Sequence, residues 1–254
     1  MNKKLTILFL VIFQIGAAQH YDTVVMDTQN IDATNEVYLV GNAYIFDYEI
    51  IKDGKVSKLK SNKGMYESAE FELVPLATAD IEVDKIRLVV QQVSDAERTN
   101  EGQTEISYIQ DPLATGMSLT GLVDNSHNIW LRPIRTGFFN ALQTAPFPFV
   151  KKPLKVGAEW SDKMAIGKNW GNALWGTWED PLLLSHHYKV SKMEKVKTVF
   201  GTLDCFVIES FATSDIGTTK LTSYFSNLYG FVRLEYELLN GLKVNFWLVD
   251  LKRG

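Results

Sequence analysis

The sequence predicts an all-β protein: an antiparallel, barrel-like or strongly curved sheet with a Trp/Pro-rich connecting segment. Three observations carry this. Several runs alternate apolar and polar residues with a period of two, the signature of half-buried strands. Glycine-containing dipeptides suited to positive φ separate pairs of such runs. No long stretch carries the apolar stripe of a helix. At 5–6 residues per strand plus turns, the length fits about 8 to 12 strands. Curling or closing such a sheet deals with its exposed edges.

The N-terminus reads as a secretory leader rather than as part of the sheet. Lys3 and Lys4 give the positive start, 5–13 is apolar, and Gly16, Ala17 and Ala18 supply the small residues of a cleavage site. The apolar run falls short of the about 20 residues a membrane helix needs. Cleavage is expected between Ala18 and Gln19, leaving one β-barrel-like domain over 19–254; a buried N-terminal strand or helix is the alternative. The single cysteine, Cys205, lies far from the leader, so a lipoprotein anchor is not expected. No later segment has 18 consecutive apolar residues, so membrane insertion is not expected either.

Taken in order, 44–51 places Tyr44, Phe46, Tyr48 and Ile50 on one face, and Asp53-Gly54 follows as a hairpin turn. Ser57-Lys58-Leu59-Lys60 has the spacing of a Ser-x-x-Lys nucleophile but reads as a solvated strand beside that turn. Strands are expected at 69–75, 80–93, 104–110 and 116–123, and a short helix at 137–143. A hairpin joins 186–197 to 203–212 through Phe200-Gly201-Thr202. The last hairpin is the clearest. Val232, Leu234, Tyr236 and Leu238 face one way, Arg233, Glu235 and Glu237 the other, Asn240-Gly241 turns, and Leu242, Val244, Phe246 and Leu248 return. The charged outer face argues against a lipid-facing barrel.

The middle of the chain breaks the pattern. Six of the seven prolines lie at 112–181 and five of the six tryptophans at 130–178. Proline and aromatic residues at this density read as a connection packed over the sheet rather than a solvated linker.

Chemistry is sparse. The formal charge of −4 becomes two units more negative once the leader is removed, which disfavours nucleic acid and anionic membrane surfaces as partners. His20, His127, His186 and His187 show no metal-ligand spacing, and His186 and His187, as strand neighbours, point to opposite faces. No metal, cofactor or catalytic residue is therefore assigned. Cys205 reads as a buried structural thiol. The remaining candidate is the aromatic segment: Trp130, Trp170, Trp175 and Trp178 as a stacking platform, with Arg132 and Arg135 able to meet a carboxylate or phosphate. Its ligand would be a small hydrophobic molecule or a glycan. The competing reading makes these indoles a second core with their N–H groups bonded.

Several stretches carry a resemblance: Trp130-Leu131-Arg132-Pro133-Ile134-Arg135, Pro146-Phe147-Pro148-Phe149-Val150-Lys151, Pro153-Leu154-Lys155-Val156-Gly157-Ala158-Glu159-Trp160, Phe200-Gly201-Thr202-Leu203-Asp204-Cys205 and Tyr229-Gly230-Phe231-Val232-Arg233-Leu234-Glu235-Tyr236. Over 130–254 the chain resembles uncharacterised exported proteins of Bacteroidetes-type bacteria, and its second half looks like the YmcC-like β-barrel domains of unknown function. The resemblance implies an antiparallel barrel-like sheet and brings no catalytic residues. The expected function is that of an exported, non-catalytic protein binding or escorting a cell-envelope component, a lipid or a glycan. The alternatives are an envelope hydrolase using Glu159, Asp162, Glu179 and Asp180, or a structural or assembly factor. A hollow interior of several hundred Å³ would favour ligand binding; a solid interior together with an exposed apolar patch above a few hundred Å² would favour the assembly reading.

Overall fold

The computed structural model describes residues 24–61, 71–78, 81, 83–111 and 117–254. The predicted leader lies outside the described residues, as do the starts of the strands expected at 69, 80 and 116.

Fourteen strands are present among the described residues. They are β1 (Ala43–Lys52), β2 (Lys55–Ser61), β3 (Phe71–Pro75), β4 (Lys85–Val90), β5 (Thr104–Asp111), β6 (Met117–Asp124) and β7 (Asn128–Leu131). They continue with β8 (Phe149–Lys151), β9 (Glu159–Ile166), β10 (Leu182–Thr198), β11 (Gly201–Ser214), β12 (Gly217–Ser226), β13 (Gly230–Glu237) and β14 (Lys243–Lys252). Twelve of them form one nearly closed barrel-like sheet in the order β8-β7-β6-β5-β4-β1-β14-β13-β12-β11-β10-β9. All the pairings are antiparallel. β2 and β3 branch off the far half of β1.

Local chemistry explains the clearest elements. In β1, Tyr44, Phe46, Tyr48 and Ile50 are buried, as the alternation requires. Asp53 (φ 50°) and Gly54 (φ 73°) make the following turn, both in the left-handed region of a type I′ hairpin. Asn240 (φ 58°) and Gly241 (φ 69°) do the same between β13 and β14. The strand expected over 80–93 is shorter. The chain leaves the sheet after Val90 and enters a short 3-10 turn at Asp95–Glu97, where Glu97 reaches back to the Ser94 backbone N–H.

β1 changes partners midway, from β4 to β2. Tyr48 fills the fork: its hydroxyl donates to the Val83 carbonyl (2.8 Å) and accepts the Leu59 N–H (3.0 Å). Lys58 is buried there against Asp47 (2.7 Å) and the Asp84 carbonyl (2.7 Å), its charge paired as burial demands. At the other end, the segment before β1 is pinned by Asp124. One of its carboxylate oxygens accepts the N–H groups of Glu36, Val37 and Tyr38 at 3.0, 2.7 and 2.8 Å.

The Pro/Phe-rich connection does not lie over the barrel as a flap. Its 3-10 helix at Gly137–Thr144 sits on the concave side of the sheet. Phe139 packs against Tyr48 and Phe246, and the Thr219 hydroxyl donates to the Thr144 carbonyl (2.7 Å). Phe138, Phe139, Ala141, Leu142 and Phe147 are all buried. Residues this apolar gain more from the sheet's interior than from its rim. The sheet ends, β8 and β9, meet through side chains: Phe149 packs edge-on to Trp160 (5.7 Å) and Tyr188 (5.5 Å), and Trp160 stacks on Tyr188 (5.4 Å).

Candidate functional site

The six aromatic and arginine candidates separate into groups. Trp130, in β7, is buried, packs on Phe147 (5.6 Å) and takes the Arg132 guanidinium over its ring (5.5 Å). Arg135 donates to the Leu119 carbonyl (3.0 Å), and burial pulls its pKa down. Trp175 is 2% exposed, stacks on Phe71, meets Phe138 edge-on and donates its indole N–H to the Trp170 carbonyl (2.9 Å). Trp178 donates to the Gly167 carbonyl (3.1 Å), and Trp170 and Trp178 cover a small cluster of Ile166, Leu182 and Leu184. The ring faces of Trp130 and Trp175 are thus packed against other side chains. Trp170 and Trp178 remain half-buried on the loop that holds Trp175 down.

The carboxylates at 159–180 lie in different surroundings. The Lys189 ammonium, 2.7 Å from Glu159, holds that exposed carboxyl below its ordinary range, so it is a poor proton donor. Glu179 is almost fully exposed, and Asp162 is on the buried face of β9. His186 faces inward and His187 outward. Burial lowers the His186 pKa to about 4, and its ring lies beside Phe147 and the Tyr188 hydroxyl. Cys205 is fully buried in β11, and burial, with Asp204 and Glu194 nearby, pushes its thiol up to about 11.

Among the described residues, the 137–147 segment occupies space on the inner side of the sheet. The void beside Leu142, Phe46, Leu88 and Tyr236 measures about 30 Å³, room for a single water. A larger space lies on the outer face, a groove of about 560 Å³ between the β10–β11 hairpin tip and β13, β14 and β1. Val196, Lys197, Thr198 and Val199 form one wall; Arg233, Asn245, Trp247 and Glu49 line the other.

Two adjacent irregularities open this groove. Tyr224 pairs with Arg233 and Phe225 with Phe231, so Val232 is an extra residue in β13. Phe46 pairs with Leu248 and Ile45 with Asp250, so Val249 is an extra residue in β14. Ladder pairing between β13 and β14 ends at Arg233 and Trp247, although both strands continue. Bulges bend and twist strands and re-aim their side chains; here two neighbours part at one level, and Val232 and Val249 both line the opening. Beside it, Asn245 donates to Glu49 (2.8 Å), Arg233 pairs with Glu235, and the Arg233 guanidinium lies over Tyr224 (5.3 Å). The sequence reading missed Trp247. The signal was the alternation itself: with Phe246 and Leu248 inward, Trp247 must face out.

No family model and no curated protein matches the chain. Solved structures similar to the chain include the following three. One, described as a candidate exported protein with a YmcC-like fold from Bacteroides fragilis, is 14% identical with a TM-score of 0.46, over 87% of this chain and 99% of that one. A candidate lipoprotein from Parabacteroides distasonis is 15% identical with a TM-score of 0.42, over 85% of this chain and 97% of the other. The hypothetical lipoprotein YmcC of Escherichia coli is 12% identical with a TM-score of 0.38, over 85% and 90%. The likeness is one of fold. Among the described residues no helix is long and apolar enough to cross a membrane.

Proposed function

We propose that this chain is an exported, non-catalytic protein that binds or escorts a component of the cell envelope, and that its ligand sits in the outer groove. One observation carries the reading: the interior is occupied by the chain's own 137–147 segment, while the groove at the paired bulges has the volume of a small-molecule site. Export rests on the charged start, short apolar run and small-residue end at 1–18. In this reading the protein works in the periplasm or outside the cell.

The test uses native mass spectrometry of the exported protein after incubation with an extract of the host envelope. Wild type is expected to begin at Gln19 and to carry an adduct. Val199→Trp, which narrows the groove from its exposed wall, is expected to lose it. Adducts of equal abundance on both proteins, or on neither, would sink the assignment of the ligand to the groove.

A further inference from the structure

We infer that the groove takes a saccharide, with Trp247 as the stacking surface and Asn245, Glu49 and Arg233 as the hydroxyl-binding groups. This inference rests on the reading of the groove as the ligand site and adds the chemical class. A pyranose ring has C–H faces that pack on an aromatic plane and a rim of hydroxyls that both donate and accept. The groove supplies both halves of that pattern. Trp247 is half-buried and lines it, so its ring is held by the sheet while remaining reachable. Its cross-strand neighbours are Arg233 on β13 and Asp47 on β1.

One residue pair along, Asn245 lies between Glu235 and Glu49, and it donates to Glu49 at 2.8 Å. That bond holds the amide and the carboxylate in place before any ligand arrives. An amide has two donors and an acceptor, and a carboxylate accepts at two oxygens, so each retains capacity for hydroxyls. Arg233, fixed by Glu235 and by the Tyr224 ring, adds donors. Preorganised planar groups lose little entropy on binding.

Val196, Val199, Val232, Leu248 and Val249 make much of the lining apolar, so the case against an acyl chain rests on the polar groups beside Trp247. A lipid tail would cover Glu49, Asn245 and Arg233 without replacing their water contacts, a cost that a saccharide avoids. The volume of about 560 Å³ leaves room for a short saccharide.

Isothermal titration calorimetry of the exported protein against cello-, chito-, xylo- and maltotetraose tests the class, with oleate as the lipid arm. At least one tetrasaccharide is expected to bind. Trp247→Ala should weaken it by at least about tenfold, Trp247→Phe should retain most of the affinity, and Asn245→Leu, which preserves volume, should weaken it with the thermal midpoint unchanged. Saccharide binding that both Trp247→Ala and Asn245→Leu leave intact overturns the site. Oleate binding abolished by these variants, with no tetrasaccharide bound, overturns the saccharide class and leaves the groove as a ligand site. If none of the probes binds, the saccharide inference fails, and the envelope-extract adduct decides separately whether the groove reading survives.

Discussion

His186 makes the fold sensitive to mild acid, and the size of the effect follows from its position. The ring is buried on the inner face of β10 against Phe147, and burial lowers its pKa from 6.5 to about 4. The folded protein therefore holds a neutral imidazole through a pH range in which the unfolded chain takes up a proton. Stability from this group is fully present above pH 6.5 and is lost as the pH falls towards 4. Each pH unit in that window costs about 1.4 kcal/mol, so the whole window costs about 3 kcal/mol.

His186→Phe keeps a planar ring and removes the titration. Urea unfolding of both proteins at a series of pH values from 7 to 4 isolates the group, because the exposed histidines and all the carboxylates are common to both. The gap between the two stabilities should shift in the variant's favour by about 3 kcal/mol across the series. Parallel curves, or an imidazole that titrates near 6.5 in the folded protein by NMR, would refute the reasoning.

Three further outcomes are expected. Asp124→Ala leaves three backbone N–H groups, two of them buried, without their acceptor and should cost about 3 kcal/mol; limited proteolysis should then cut within 24–38 well before it cuts the sheet. Trp175→Ala opens a cavity among Phe71 and Phe138 and should cost about 3–5 kcal/mol, while folded variant protein binds envelope ligand as wild type does; loss of binding without loss of stability would restore the aromatic segment as the site. The Cys205 thiol, buried and with its pKa pushed up to about 11, should resist a disulfide reagent at pH 8 until urea unfolds the chain. Rapid labelling of the native protein would contradict its place in the core.

What could be read in advance was what is local. The alternation of Tyr44, Phe46, Tyr48 and Ile50 fixes the inward face of β1, and Asp53-Gly54 and Asn240-Gly241 supply their own turn geometry. The opposite orientations of His186 and His187 follow from strand pleating alone. The path of 132–148 was illegible because it has no period, and its partners, such as Tyr48, Thr219 and Phe246, come from strands distant in sequence. Its prolines and aromatics marked it as packed, but nothing local says on which side of the sheet. The groove was hidden for a similar reason. The bulges at Val232 and Val249 are properties of register between strands, and neither residue looks unusual in its own strand.

The order of strands also has a consequence for synthesis. Strands β4 to β8 and β9 to β14 are two runs of near neighbours, and they are joined through β1, whose ladder with β14 spans from Ala43–Lys252 to Ile51–Lys243. The first strand of the sheet must therefore wait for the last. A chain that crosses a membrane N-terminus first cannot complete this sheet until β14 has emerged, so during transit β1 has an unpaired edge exposed to other chains. Truncation at Leu242 would leave the two runs as separate, open-edged pieces, and the C-terminal residues act as the clasp that ends the vulnerable stage of assembly.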